Sequence, residues 1–331
     1  MPIADQKITE QYALYNADTM EVLPSIADGS VDFSIYSPPF PELYQYSNDP
    51  RDMSNCATYE EGIAQYQFIV DQIFRVTKPG RLSCVHCMDL KSGQRWQRDF
   101  PGDIVRAHEA AGFHWAARIT IWKDPWLIAR RTRMRSLMHK TIVNDSARAH
   151  PAGPDYVLVF EKGGENAVPI THQHGFKRYF GSTPMPADLV ERFSNFTGDQ
   201  RKNLLSHWIW RQYASPVWMD IRTGRLLPYK DARETDEEKH VCPLQLDVIE
   251  RCLEMWSNVG DVVLSPFHGV GSEVCAAIVN GRRAIGSELK STYYRQSLQN
   301  METVSKEGWG RQEDELPFGE TLTADDSMEV T

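Results

Sequence analysis

Two apolar runs, each breaking into a turn that cannot prolong it, constrain this chain most. Val31-Asp32-Phe33-Ser34-Ile35-Tyr36 runs into Ser37-Pro38-Pro39-Phe40. Near the other end, Asp261-Val262-Val263-Leu264-Ser265 runs into Pro266-Phe267-His268-Gly269-Val270-Gly271. Consecutive prolines continue neither a helix nor a central strand, so the first motif is a loop at a strand's C-terminal end. Gly269 and Gly271 let backbone approach a ligand with no Cβ in the way. In open α/β sheets, ligands bind at the carboxyl ends of strands. The pair therefore predicts one site assembled from both ends of the chain.

The flanking periodicity fits an α/β sheet. Tyr59, Ile63, Tyr66, Val70, Ile73 and Phe74 recur at helical spacing, and Lys78-Pro79-Gly80 ends that segment. Strand-like runs follow at 81–88, 113–122 and 156–160, with a helix at 103–111. Leu244, Val248, Ile249, Cys252 and Trp256 form a helical stripe ahead of the Asp261 strand. A helix at 273–279, a strand at 283–286 reaching Glu288 and a helix from 293 complete the pattern. The segment from about 123 to 233 is irregular, aromatic and rich in Arg, His and Pro, with a helix expected at 203–213. Four parts are expected: a catalytic half over 1–122, a variable region over 123–238 holding one core strand, a cofactor half over 239–308, and an acidic peripheral tail over 309–331.

The formal net charge of −9 disfavours a simple basic nucleic-acid binder. Charge is segregated, however: Arg130, Arg131, Arg133, Arg135 and Lys140 fall in one acid-free stretch, suited to phosphate or to a solvated loop. No run reaches the roughly 18 consecutive apolar residues of a membrane span. The N-terminus lacks the pattern of a signal peptide, and six cysteines in 331 residues form no dense disulfide framework, so a reducing cytosol is expected. Cys84 and Cys87 lie in a strand-like run, where residues three apart face opposite sides. They are read as core thiols rather than a zinc or redox pair, and His86 between them as structural. No metal is expected.

The second turn reads strand, Pro-Phe-x-Gly-x-Gly, helix, strand, acid. Glu288 stands where a nucleotide fold places a ribose-binding carboxylate, although neither the full dinucleotide fingerprint nor a P-loop is present. On these residues the chain resembles the DNA amino-methyltransferases of the beta arrangement, which carry the catalytic motif first, target recognition next and the S-adenosylmethionine motif last. Ser37-Pro38-Pro39-Phe40 is similar to their Ser/Asp-Pro-Pro-aromatic motif, and Phe267-His268-Gly269-Val270-Gly271 to their Phe-x-Gly-x-Gly motif. Asn16-Ala17-Asp18 resembles their N-terminal cofactor contact, and the run from Lys239 to Arg251 their entry into the cofactor half. The resemblance covers roughly residues 12–122 and 239–300.

It implies a three-layer Rossmann-like methyltransferase sheet with permuted motif order and an inserted target-recognition region. It implies S-adenosylmethionine as cofactor, with Asp18 at its adenine, Pro266, Phe267, Gly269 and Gly271 around its methionine and sugar, and Ser272 and Glu288 at the ribose. Ser265 stands where many relatives carry Asp, so a hydroxyl rather than a charge meets the cofactor amine. Double-stranded DNA is the implied partner, with phosphate contacts from Arg130, Arg131, Arg133 and Arg135 and a further polar surface from His172, His174, Lys177 and Arg178. A homodimer is compatible with the aromatics outside the catalytic stripes. Trp208, Trp210 and Trp218 are read as core or interface aromatics.

An exocyclic amino nitrogen is a poor nucleophile, because its lone pair is delocalised into the ring. Acceptors that hold its hydrogens redirect that lone pair. The Ser37 hydroxyl and the Pro38 carbonyl suit this task on a stiff loop, with Phe40 as a face for a flipped base. Ser at the first position favours cytosine N4, and adenine N6 is the alternative. Carbon methylation of cytosine would call for a Pro-Cys motif that the chain lacks; Cys242-Pro243 has the reverse order. The rival of a different class is a noncatalytic DNA-binding or protein-interaction module on the same fold.

Overall fold

The Val31 run becomes the spine of the molecule because every residue in it is buried, Asp32 included. Its carboxylate is matched at the sheet's lower edge, where it accepts the Val262 amide at 2.9 Å and the Lys78 ammonium at 2.6 Å. Those bonds tie the central strand to a neighbour on each side. A computed structural model describes residues 3–41, 49, 51–92, 96–132, 135–151, 153–232 and 243–309, with backbone alone at 91–92, 129–132, 135, 230 and 307. The expected tail beyond 309, Lys239 to Cys242 and Arg133 lie outside the described residues.

The strands are β1 (Asp5–Ile8), β2 (Tyr12–Asn16), β3 (Val31–Tyr36), β4 (Thr77–Met88), β5 (Leu90–Ser92), β6 (Trp96–Arg98), β7 (Phe113–Ile121), β8 (Asp155–Lys162), β9 (Val217–Trp218), β10 (Val262–Ser265) and β11 (Arg283–Glu288). The helices are α1 (Thr19–Val22), α2 (Tyr59–Val76), α3 (Phe100–Ala111), α4 (Pro125–Thr132), α5 (His139–Asp145), α6 (Ala187–Phe193), α7 (Leu204–Tyr213), α8 (Leu246–Trp256), α9 (Ser272–Val279) and α10 (Ser291–Glu307). Among the described residues nine strands form one sheet in the order β1-β2-β11-β10-β3-β4-β8-β7-β9, and β5 and β6 form a separate pair. Strands β2, β11, β10, β3 and β4 run parallel, while β8 runs antiparallel between β4 and β7.

Alternation along the strands builds two cores. Phe33, Ile35 and Cys84 face α8, α9 and α10; Tyr36, Val85 and Cys87 face α2 and α3. The two cysteines thus point to opposite sides of β4, as period-two geometry requires. This is the expected three-layer α/β sheet. Lys78-Pro79-Gly80 does not separate helix from strand as expected: α2 ends at Val76, and β4 already starts at Thr77. Among the described residues no helix is long and apolar enough to cross a membrane.

The variable region makes its own small core of Phe180, Leu205, Ile209 and Tyr213 and contributes β9 to the sheet edge, where Trp218 is fully buried against β7. Trp208 packs edge-on against Tyr179, and Trp210 faces solvent. Buried charge fastens this region to α8. Asp247 accepts the backbone amide of Arg222 at 3.0 Å and its guanidinium at 2.6 Å, and Arg225 at 2.8 Å. Burial alone would raise this carboxyl, but the bonds and charge of Arg222, aided by Arg225, hold it below the usual range. Its contribution is therefore present above the unfolded value of about 3.9 and lost as pH falls through the lower folded value. Asp247→Asn should cost about 2 kcal/mol at neutral pH. Urea denaturation at pH 7 and at pH 3 checks this, with the difference shrinking at the lower pH.

Candidate active site

The two turns meet because their strands are neighbours. Strands β10 and β3 pair in parallel, Val263 with Phe33 and Leu264 with Ser34, so their C-terminal loops leave the same edge side by side. The rings of Tyr36 and Phe267 touch across that junction with centroids 5.9 Å apart. On the far side of β10 stands β11, ending in Glu288, and beyond it β2, leading into Asp18. Asp18, Glu288, Ser265 and Ser37 are thus set out along one edge by strand order alone.

Each oxygen of Glu288 holds backbone. Oε2 accepts the Gly269 amide at 3.0 Å, and Oε1 accepts the Lys290 amide at 2.9 Å. Burial pushes this carboxyl up to about 7, against the pull of those two N–H groups. Gly269 has a φ of +52°, and a Cβ built there meets nothing within 4 Å, so open space adjoins the loop. Gly271, at φ +97°, would place a Cβ 3.0 Å from that of Ser297. Here glycine serves both a left-handed turn and a close approach to α10.

The hydroxyls of Ser265 and Ser272 are buried, and neither has a hydrogen-bond partner among the described residues. Buried hydroxyls are normally bonded. Two spare hydroxyls, a carboxylate with lone pairs left over and a Cβ-free loop fit a nucleoside carrying a polar arm. Asp18 also caps α1, accepting the Met20 amide at 2.9 Å; burial raises its carboxyl and that bond opposes the rise. Pro38 is buried, and Ser37 and Pro39 are half-buried. Phe40 packs edge-on against Phe100 at 5.8 Å.

Several supports have no signature in the sequence. His268, the variable position of its motif, is buried and bonds Ser297 Oγ at 3.1 Å; burial draws its imidazole down to about 3, keeping it neutral. Its only trace is Gly286, where a Cβ would lie 2.7 Å from the ring. Ser287 donates to the Pro266 carbonyl at 2.9 Å, and the Asn300 amide donates to that of Val270 at 2.9 Å. Asn16 donates to the Glu288 carbonyl at 2.8 Å and accepts from Ser291 at 2.7 Å, joining the ends of β2 and β11.

The basic residues lie between the two motifs in sequence. Arg130 and Arg131 fall on α4, and Arg135 opens a short 3-10 turn, with side chains outside the described part. Lys177 is exposed. Arg178 is exposed yet engaged within the chain, pairing with Glu254 at 2.8 Å and lying over the Phe180 ring. Among the described residues no cluster of His, Cys, Asp and Glu is arranged to hold a metal ion.

The sequence matches the DNA methylase family of N6/N4 methyltransferases over residues 31–299. The type II methyltransferase M.BglII of Bacillus subtilis is 23% identical over 306 residues, spanning 85% of this chain and 66% of that protein. A DNA modification methylase of Thermus thermophilus, TTHA0409, solved in complex with S-adenosylmethionine, has a TM-score of 0.59 at 21% identity, over 91% of this chain and 97% of that one. The cytosine-N4-specific PvuII DNA methyltransferase has a TM-score of 0.58 at 14% identity, over 99% of this chain and 94% of that one. At these identities the two structures speak for the fold, and the family match covers most of the chain. The chain belongs to the N6/N4 DNA methylase family, a family of S-adenosylmethionine-dependent DNA amino-methyltransferases.

Proposed function

We propose that this protein methylates the N4 amino group of cytosine in duplex DNA, acting on a base flipped out of the helix. The observation that carries the reading is the pairing of β3 with β10, which sets the Ser37 loop against the Phe267 loop. When bound, the cofactor would supply an electrophilic sulfonium methyl group: the nitrogen–carbon bond would form as the carbon–sulfur bond breaks to leave a neutral thioether, and the amino group would release one proton to solvent.

Ser37 and the Pro38 carbonyl hold the amino hydrogens, and the two prolines limit the loop's freedom and so the entropy of positioning. Phe40 offers an apolar face to the base. Ser265 and Ser272 offer hydroxyls to the cofactor, Glu288 takes the ribose, and Asp18 lies toward the adenine. Pro266, Phe267, Gly269 and Gly271 enclose the remainder. Arg130, Arg131, Arg133, Arg135, Lys177 and Arg178 are assigned to the phosphate backbone, Arg178 while also pairing with Glu254. The preference for cytosine N4 rests on Ser37 at the first motif position.

Incubation of the protein with methyl-labelled S-adenosylmethionine and bacterial or phage duplex DNA, then digestion to nucleosides, should yield labelled N4-methylcytosine. Label in N6-methyladenine would reassign the base. No labelled nucleoside across DNAs of diverse sequence would leave the fold without this activity and favour a noncatalytic DNA-binding module.

A further inference from the structure

A buried charged cluster lies beside the catalytic loop, and no step described above uses it. His86 stands on β4, Asp155 opens β8 and Lys123 follows β7. One Asp155 oxygen lies 3.2 Å from His86 Nε2, and the other 2.5 Å from Lys123 Nζ. The side chains of His86 and Asp155 are 11% and 3% exposed. Both imidazole nitrogens are shielded from solvent, and among the described residues neither has a hydrogen bond of good geometry; the Asp155 contact is close but off line. Burial would raise the Asp155 carboxyl, but its cationic surroundings, Lys123 foremost, outweigh it and hold it down at about 2, so the aspartate is charged. A neutral ring placed this way carries its proton on Nε2, the nitrogen 3.2 Å from the carboxylate. Nδ1 is then a buried acceptor with no donor among the described residues, which is an unfavourable state.

Strand register names the donor. The last pair between β3 and β4 is Tyr36 with Val85, so one step further brings Ser37 level with His86. The side of the sheet agrees. Tyr36 and Val85 face α2 and α3, and Ile35 and Cys84 face the opposite core. Alternation puts residues 37 and 86 on that second side together. Adjacent strands lie about 5 Å apart, within the reach of a serine and a histidine whose side chains turn toward each other.

A serine hydroxyl has one hydrogen. If Ser37 is to accept a hydrogen from the target amine, its own must point elsewhere; aimed at the base, it would oppose the amine. We propose that His86 is the positioning residue of this site: its Nδ1 accepts the Ser37 hydroxyl hydrogen, and Asp155 with Lys123 fixes the tautomer that allows it. The catalytic consequence rests on the methyl-transfer reading above, but the hydrogen bond itself does not.

Two measurements on the full-length protein test this separately. In histidine-labelled protein, 15N NMR should find His86 as the Nε2–H tautomer, and Ser37→Ala should move its Nδ1 resonance downfield, toward that of a free acceptor. An Nδ1–H tautomer, or an unmoved resonance, overturns the proposal whether or not the protein methylates anything. In the labelled-methyl assay, His86→Leu should lower kcat about 100-fold at unchanged KM for S-adenosylmethionine. His86→Asn, which keeps an acceptor near Nδ1, should recover at least tenfold of that, and His86→Leu in a Ser37→Ala background should cost nothing further. An equal loss in both backgrounds, or an Asn variant no better than Leu, overturns the role. A wild-type protein that makes no methylated nucleoside refutes the activity reading, and the NMR result then decides the hydrogen bond alone.

Discussion

Ser37→Ala should lower the single-turnover rate of methyl transfer about 100-fold while cofactor affinity stays within a factor of about two. The asymmetry follows from position. Ser37 leaves β3, whereas the proposed cofactor contacts leave β10, β11 and β2 on one side of it. A hydroxyl that holds an amino hydrogen acts most strongly where the nitrogen lone pair is being redirected, in the transition state. Its loss should therefore fall on the chemical step. The loop should survive, since Pro38 and Pro39 keep their backbone constraint. Rapid-quench kinetics with saturating labelled cofactor, alongside equilibrium binding of the same cofactor, make the comparison. An unchanged single-turnover rate would remove Ser37 from the mechanism; a large loss of cofactor affinity would move it to the binding site.

Glu288→Gln should weaken cofactor binding about 10–100-fold at pH 8 and abolish its pH dependence. The carboxyl sits at about 7 rather than near the ordinary glutamate value because of burial. If the ionised form accepts the ribose hydroxyls, wild-type affinity rises with pH through about 7 and levels off above it. Below that, the loss approaches tenfold per pH unit. The stability of the empty protein carries the opposite sign. A carboxyl whose folded value is raised contributes stability that is fully present below its unfolded value of 4.5 and lost as pH rises through about 7. Glu273, buried beside it and pushed up to about 8, adds to the same decline. Empty wild-type protein should thus lose stability from pH 5 to pH 8 while its affinity for cofactor grows; Glu288→Gln should flatten the affinity slope and make the stability slope shallower, leaving the share of Glu273. Calorimetric titration and thermal unfolding across that range provide the check. An affinity that ignores pH in the wild type would detach Glu288 from the ribose.

The strong regular elements were legible in the residues. Strand β3 and helix α2 fall on the segments that their patterns mark, Val31 to Tyr36 and Tyr59 to Val76: one-sided burial leaves a helical period in α2, and two-sided burial leaves β3 as a short, mostly apolar run ended by a proline turn. Helix α7 begins one residue inside the expected bound, since Asn203 spends its side chain capping the Ser206 amide. The edges were less legible. Strand β1 has every residue exposed and so carries no apolar alternation. Strand β9 has two residues, too few for any period, and is held by Trp218 inserting against β7. Helices α4, α5 and α6 have eight, seven and seven residues, too few for a helical period to stand out from the surrounding loops.

The sequence by itself determined the motif order, the strand-to-loop setting of both turns and the pairing of a Pro-Pro loop with a Gly-x-Gly loop and a distant carboxylate. Local chemistry suffices for those, because proline, glycine and apolar periodicity act within a few residues. Only the tertiary structure decided which strands are neighbours, and neighbours are what make a site. The pairing of β3 with β10 brings Tyr36, the residue before Ser37, onto Phe267; Gly286 makes room for the buried His268; and the register of β4 pairs Val85, the residue before His86, with Tyr36. Such contacts join residues far apart in the chain, and they depend on sheet order and side-chain direction, to which no single stretch of sequence is sensitive.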